Sequence, residues 1–166
     1  MDILKKSLAP ITDRAWEEIQ EQSQKIFNEY LTARKISDIN GPNGLELGAV
    51  STGRLVVPKE HTEKGINYGI REVVPLVEIR KPFTLDIWEL DNASRGAKDA
   101  DFGNMEAAAR DIASFEDQCI YYGFKPTSQA GFIDTAGEDP VKINADHDQF
   151  LTGISRQISR LKANAV

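Results

Sequence analysis

A chain of 166 residues, 40% hydrophobic and 28% charged, has the size and apolar content of one globular domain with a core of useful size, which excludes a disordered chain. Twenty Lys and Arg against twenty-six Asp and Glu leave a net charge of -6, which repels phosphate backbones and disfavours a nucleic-acid partner. The single cysteine, Cys119, excludes an intrachain disulfide and a four-cysteine zinc site and suits a reducing cytoplasm; the N-terminal Met-Asp-Ile-Leu-Lys-Lys turns polar too soon for a signal peptide or membrane span, so a soluble, unexported protein is expected.

The first segment, Ile3 to Ile11, is a short arm carrying Ile3, Leu4, Leu8 and Ile11 on little structure of its own, so these side chains call for a neighbour, such as another subunit. From Thr12 the rhythm becomes helical. Trp16, Ile19, Ile26, Phe27, Tyr30 and Leu31 recur at three- and four-residue steps, which predicts an amphipathic helix from Asp13 to Arg34. Thr12 or Asp13 can cap its first turn, Glu17 and Glu18 suit the positive end of its dipole, and Arg34 and Lys35 suit the negative end.

Gly41, Pro42, Asn43 and Gly44 form a turn cluster, after which the period is β-like through Leu45 to Val57. Two further β runs follow, Ile66 to Val74 and Leu76 to Leu90. In the latter, Phe83, Leu85 and Ile87 alternate with Thr84, Asp86 and Trp88. Proline cannot donate to a ladder, so Pro75 and Pro82 belong at an edge or bend, and the region reads as an extended hairpin arm with little stability by itself.

Asn92 to Gly103 reads as a polar turn leading to a second helix, Asn104 to Tyr122, whose stripe is Ala108, Ile112, Phe115, Cys119 and Tyr122 and whose stop is Gly123. Gly131, Phe132 and Ile133 suggest a short strand. A third helix is predicted from Asp146 to Ala163, with Phe150, Leu151, Ile154, Ile158 and Leu161 on its stripe. The elements read in this order are one amphipathic helix, a long β arm, a second helix, a short strand and a third helix.

Signatures of catalysis are sparse. There is no glycine-rich phosphate loop, paired-histidine zinc motif or Gly-x-Ser-x-Gly elbow, and His61 and His147 read as ordinary surface histidines. Cys119 with His147 and Asp146 is the enzymatic alternative, a thiol protease set, but a cysteine on an apolar helix stripe behaves as a small hydrophobe. Glu116 and Asp117, or Glu17, Glu18 and Glu21, could suggest di-iron ligands. The Glu-x-x-His pairs such a bundle requires are missing, and no metal is expected. Trp88 reads as an aromatic packed in an interface or core, or else as a stacking platform for a flat ligand such as a flavin.

Several blocks carry a resemblance: Leu8-Ala9-Pro10-Ile11-Thr12, Trp16-Glu17-Glu18-Ile19, Gly41-Pro42, Pro75-Leu76-Val77-Glu78-Ile79-Arg80, Phe83 to Asn92 and Phe115-Glu116-Asp117. Across essentially the whole chain they resemble the encapsulin family, some of whose members also bear the name of linocin-type bacteriocins, which supplies a lytic bacteriocin as a further alternative. The resemblance implies an α+β fold, the tailed-phage major capsid fold of the Hong Kong 97 type. Residues 1–39 would be the N-terminal arm and luminal helix, 52–85 the extended E-loop, and 40–51 with 86–166 part of the peripheral domain, with 104–122 as its spine helix. Family members continue past the position of Val166, so the axial domain would be largely absent from this stretch.

By the same resemblance the chain would be a non-enzymatic shell protomer that closes with copies of itself into an icosahedral nanocompartment in the cytoplasm. Its cargo would be a ferritin-like iron oxidase or a dye-decolourising peroxidase held by a short C-terminal targeting peptide. Carried over position by position, the peptide groove would have Phe27, Tyr30 and Leu31 as its apolar floor and Arg34 and Asp38 at its end. A helix end that shows an aromatic and aliphatic stripe beside one positive and one negative side chain can bind an extended peptide by burial and fix its direction by charge.

Overall fold

Thr12 starts the first helix as expected: its backbone is extended, and its Oγ1 accepts from the Ala15 N–H at 3.2 Å, satisfying one donor that a helix N-terminus leaves open. In the computed structural model, which describes residues 5–59, 62–136 and 147–164, this helix is α1, Asp13–Tyr30, with Ala15 and Ile19 buried. Ile3 and Leu4 of the expected apolar arm lie outside the described residues.

α1 stops one turn earlier than its sequence predicts. The Leu31 N–H still reaches the Phe27 carbonyl at 3.0 Å, but the next two N–H groups, of Thr32 and Ala33, turn to the Asp117 carboxylate at 2.9 and 3.1 Å. That carboxylate takes the place of the carbonyls one turn back, and the chain continues as a 3₁₀ turn, Ala33–Lys35.

The β arm begins with β1, Ala49–Val56. The hairpin β2, Thr62–Glu63, and β3, Ile66–Asn67, forms its tip, and β4, Ile70–Pro75, returns antiparallel to β1. Ala49 faces Pro75 and Val56 faces Ile70, with a register shift between Ser51 and Leu55 where Gly53 has a φ of 75°. Thr52 anchors the shifted stretch through its Oγ1, which donates to the Glu72 carboxylate at 2.9 Å. Among the described residues no other layer covers this arm: Val50, Leu55, Val56, Ile66, Ile70 and Val73 are between 49% and 69% exposed.

The strand predicted for Leu76 to Leu90 is not formed. After Pro75 the backbone runs without regular structure, and α2 occupies Ile87–Arg95. Local end signals override the alternation. Asp86 Oδ1 accepts the Trp88 N–H at 2.8 Å, and the N–H groups of Gly96 and Ala97 return to the carbonyls of Ala93 and Asn92 at 2.9 and 3.0 Å, a Schellman closure around Gly96 at a φ of 103°. Leu90 and Ala93, three residues apart, are the buried side of α2.

α3, Gly103–Tyr122, begins one residue before its predicted start, with the Gly103 N–H held by Asp101 Oδ1 at 2.8 Å. Its most buried face is Met105, Ala108, Ala109 and Ala113, not the expected bulky stripe; Ile112, Phe115 and Cys119 are half-buried and Tyr122 is 67% exposed. Small side chains let α3 lie close to α1, and the larger ones fall to the flanks. The core gathers Ala15 and Ile19 of α1, Leu90 and Ala93 of α2, and Phe102 and Met105, with Ile11, Trp16 and Leu85 packed against it.

At the end of α3 two backbone stretches nearly touch. A Cβ on Gly123, whose φ is 76°, would lie 2.5 Å from the Gln129 carbonyl oxygen, and one on Gly131 would lie 2.3 Å from the Gly123 nitrogen. Only glycine fits at either position. Beyond them a short helix, α4, Phe132–Ala136, stands where a strand was expected. From Thr135 the chain forms a second unit, which contains α5, His147–Asn164. The expected start at Asp146 lies outside the described residues. Its predicted stripe, Phe150, Leu151, Ile154, Ile158 and Leu161, is 38% to 55% exposed. The mixture of helices with separate antiparallel strands agrees with the α+β class.

Candidate functional site

The C-terminal end of α1 is tied to α3 by two adjacent acids. Asp117 accepts from the Thr32 N–H, from Thr32 Oγ1 at 2.5 Å and from the Ala33 N–H; the Tyr121 hydroxyl lies 3.1 Å from the same Thr32 oxygen. Slight burial pushes the Asp117 carboxyl up, but the bonds from Thr32 and Ala33, with the charge of Lys35, outweigh it and hold the group below its ordinary value. One residue earlier, Glu116 takes a bidentate grip on Arg34, Oε1 to Nε at 2.5 Å and Oε2 to a terminal nitrogen at 2.9 Å. The Glu116 hydrogen bond raises the Arg34 pKa against the opposing effect of burial.

These ties shape two adjoining cavities. One, of about 620 Å³, is lined by Phe27, Leu31, Arg34, Ile39, Ile112 and Glu116, among others. The second, of about 740 Å³, includes Arg34, Asp38, Ile39, Pro42, Ile120 and Phe132. Arg34, Ile39 and Glu116 belong to both, so the ion pair is a wall between two hollows of mixed apolar and polar lining, with Gln24, Asn28 and Lys35 in the first and Ser37, Asn40 and Asn43 in the second.

Of the five residues assigned to the groove from the sequence, Phe27, Leu31 and Arg34 line the first cavity and Asp38 the second. Leu31 is only 8% exposed and so forms a closed floor. Tyr30, 42% exposed, belongs to neither lining. Ile39, Ile112 and Glu116 were missed. Ile112 was visible on the predicted stripe of its helix, but only the packing of α3 on α1 brings it and Glu116 across from Phe27.

A hollow with Phe27, Leu31, Ile39 and Ile112 on its apolar side and Gln24, Asn28 and Lys35 among its polar side chains, crossed by an internally neutralised ion pair, suits the seating of an extended segment better than bond chemistry. The Cys119 thiol is pushed up, first by burial and then by the charge of Glu116, the reverse of the shift that activates a nucleophile. Its imagined partner Asp146, the other histidine His61 and the side chain of His147 lie outside the described residues. Among the described residues no cluster of three metal-ligating side chains occurs, and no helix is long and apolar enough to cross a membrane. Trp88 stands on the first turn of α2, 71% exposed, and borders none of the cavities described, so core packing does not explain it.

Comparison with known sequences gives a consistent family. The profile described as an encapsulating protein for peroxidase matches residues 1–166. Similar relatives include the type 1 encapsulin shell proteins of Mycolicibacterium paratuberculosis, at 35% identity, and of Mycobacterium tuberculosis, at 34%. The type 1 encapsulin shell protein of Brevibacterium linens is 31% identical. In each case the similarity covers 100% of this chain and 62% of the relative, so the chain spans less than two thirds of the length of the proteins it matches.

Proposed function

The chain belongs to the family of encapsulating proteins for peroxidase, and from that premise we propose that it serves as a shell protomer. Copies close into an icosahedral cytoplasmic compartment of the tailed-phage capsid fold. They retain a cargo enzyme through a C-terminal peptide docked in the groove between α1 and α3. The observation that carries this reading is the uncovered β arm. A two-stranded ribbon with Leu55, Ile66 and Ile70 at 59% to 69% exposure gains stability only where another surface covers it, and a neighbouring subunit supplies that surface. Residues 52–85 would then be the E-loop reaching between subunits, and 104–122 the spine of the peripheral domain.

The role is structural, in line with relatives named as shell proteins. A flavin on Trp88 would meet a ring that is 71% exposed and borders none of the cavities described, and no step of the reading passes through one. Negative-stain microscopy tests the proposal. Closed particles from the purified protein support it, and deletion of Glu60 to Glu72 is expected to abolish them while leaving helical circular dichroism intact. Normal particles from the deletion would show that the arm is not an assembly contact. A uniform small species, unable to enter particles even when mixed with the Brevibacterium linens relative, would overturn the shell role itself.

A further inference from the structure

The groove does not end at Phe27. A third cavity, of about 610 Å³, lies further towards the N-terminus along α1 and shares Gln24 and Phe27 with the first; Lys6, Trp16, Ile19, Gln20 and Ser23 complete its lining. Its chemistry differs from that at the Arg34 end. Among the described residues the lining holds one cation and no anion and no carboxylate pairs the Lys6 ammonium, which stands 5.4 Å from the centre of the Trp16 ring. Among the described residues the buried Trp16 indole N–H has no acceptor, an arrangement that is costly unless an incoming group supplies one. At the other end Arg34 is already neutralised by Glu116.

We infer that the cavity at Lys6 and Trp16 receives the terminal carboxylate of an extended apolar peptide lying along α1, so that the bound peptide runs from the Arg34 end towards Lys6. This rests on the cargo-docking reading above and adds to it a length and a direction. From Trp16 to Leu31 is fifteen residues of helix, about 22 Å at a rise of about 1.5 Å per residue. An extended chain covers that distance in about seven residues. The apolar side chains of such a peptide meet Ile19, Phe27, Leu31 and Ile112, and its carboxylate meets the Lys6 ammonium beside the Trp16 N–H, whereas Lys35, the other lysine in the lining, already donates to the Glu29 carbonyl at 3.0 Å.

The test is fluorescence anisotropy with the full chain at low ionic strength. Its probe is a seven-residue peptide of alternating glycine and leucine, labelled at its N-terminus and prepared as the free acid and as the carboxamide. The free acid is expected to bind about tenfold more tightly, the size of one charge-assisted hydrogen bond at a part-exposed site. In Lys6→Gln, an exposed position whose change leaves the core untouched, that preference is expected to vanish while the carboxamide binds as before. Equal binding of the two peptides to the unmodified protein would overturn the inference and leave the groove standing. A preference that survives Lys6→Gln would also overturn it, and its loss in Lys35→Gln instead would reverse the direction of the peptide. If neither peptide binds, the groove reading and the inference fall together.

Discussion

Asp117 on α3 takes both the backbone N–H and the hydroxyl of Thr32, and these bonds decide where α1 ends. Asp117→Asn keeps the shape but weakens the acceptor, and is expected to lower stability by about 1 to 2 kcal/mol at neutral pH, the lower part of the range for bonds to a charged group because the site is near solvent. The folded carboxyl lies below its ordinary value, so its contribution is full above the unfolded pKa of about 4 and is lost as pH falls through the folded pKa. Urea titrations from neutral pH down to pH 3 should therefore show the two proteins converging under acid conditions. A constant gap across that range would mean that the charge of Asp117 contributes nothing.

Gly123 gives a second prediction. An added methyl group would meet the Gln129 carbonyl oxygen at 2.5 Å, on a backbone already at a positive φ, so Gly123→Ala is expected to cost about 2 kcal/mol or more. Gly48 has open space around it and no positive φ, and Gly48→Ala serves as the neutral control. Equal melting temperatures for the two variants would contradict the close approach.

Cys119 is expected to be dispensable. Its half-buried side chain flanks the core, so Cys119→Ala should cost about 1 to 2 kcal/mol at most. With its thiol pushed up by burial and by Glu116, alkylation by iodoacetamide at pH 8 should be slower in the folded protein than in urea. Faster labelling of the folded protein would revive a nucleophilic role.

What the sequence made legible follows from which signals are local. The Thr12 cap, the start of α1, the span of α3 and the helical character of α5 could be read because capping chemistry and helical period lie within a few residues of each other. α2 was hidden because apolar alternation from Phe83 to Ile87 outweighed the brackets at Asp86 and Gly96, which were themselves readable as a helix start and stop. The early end of α1 was not readable at all, since it depends on an acid 85 positions away in the chain. The groove shows the same division. The family resemblance is what groups Phe27, Leu31 and Arg34 at one helix end, whereas Glu116 and Ile112 enter only when α3 packs across from them.

The last prediction concerns cargo retention and separates wall from floor. Phe27 and Leu31 are apolar surface in the first cavity, and Arg34 with Glu116 forms the partition towards the second. Phe27→Ala removes floor area, which at about 25 cal/mol per Å² of apolar surface weakens an extended peptide by about 1 to 2 kcal/mol, roughly a tenfold loss. Arg34→Ala acts differently: it takes the partition away and leaves the Glu116 carboxylate, whose side chain is 22% exposed, facing the groove without its partner. An unpaired anion there must lose its hydration when an apolar peptide covers it, and the two hollows open into one, so the double variant Phe27→Ala with Arg34→Ala is expected to release cargo almost completely. Neither position lies in the β arm, so particle diameter by dynamic light scattering should stay at the wild-type value. Restoring neutrality with Glu116→Gln on the Arg34→Ala background should recover part of the retention if the stranded charge is the cause. Cargo co-purifying at the wild-type ratio with intact shells of the double variant would place the docking site elsewhere on the molecule.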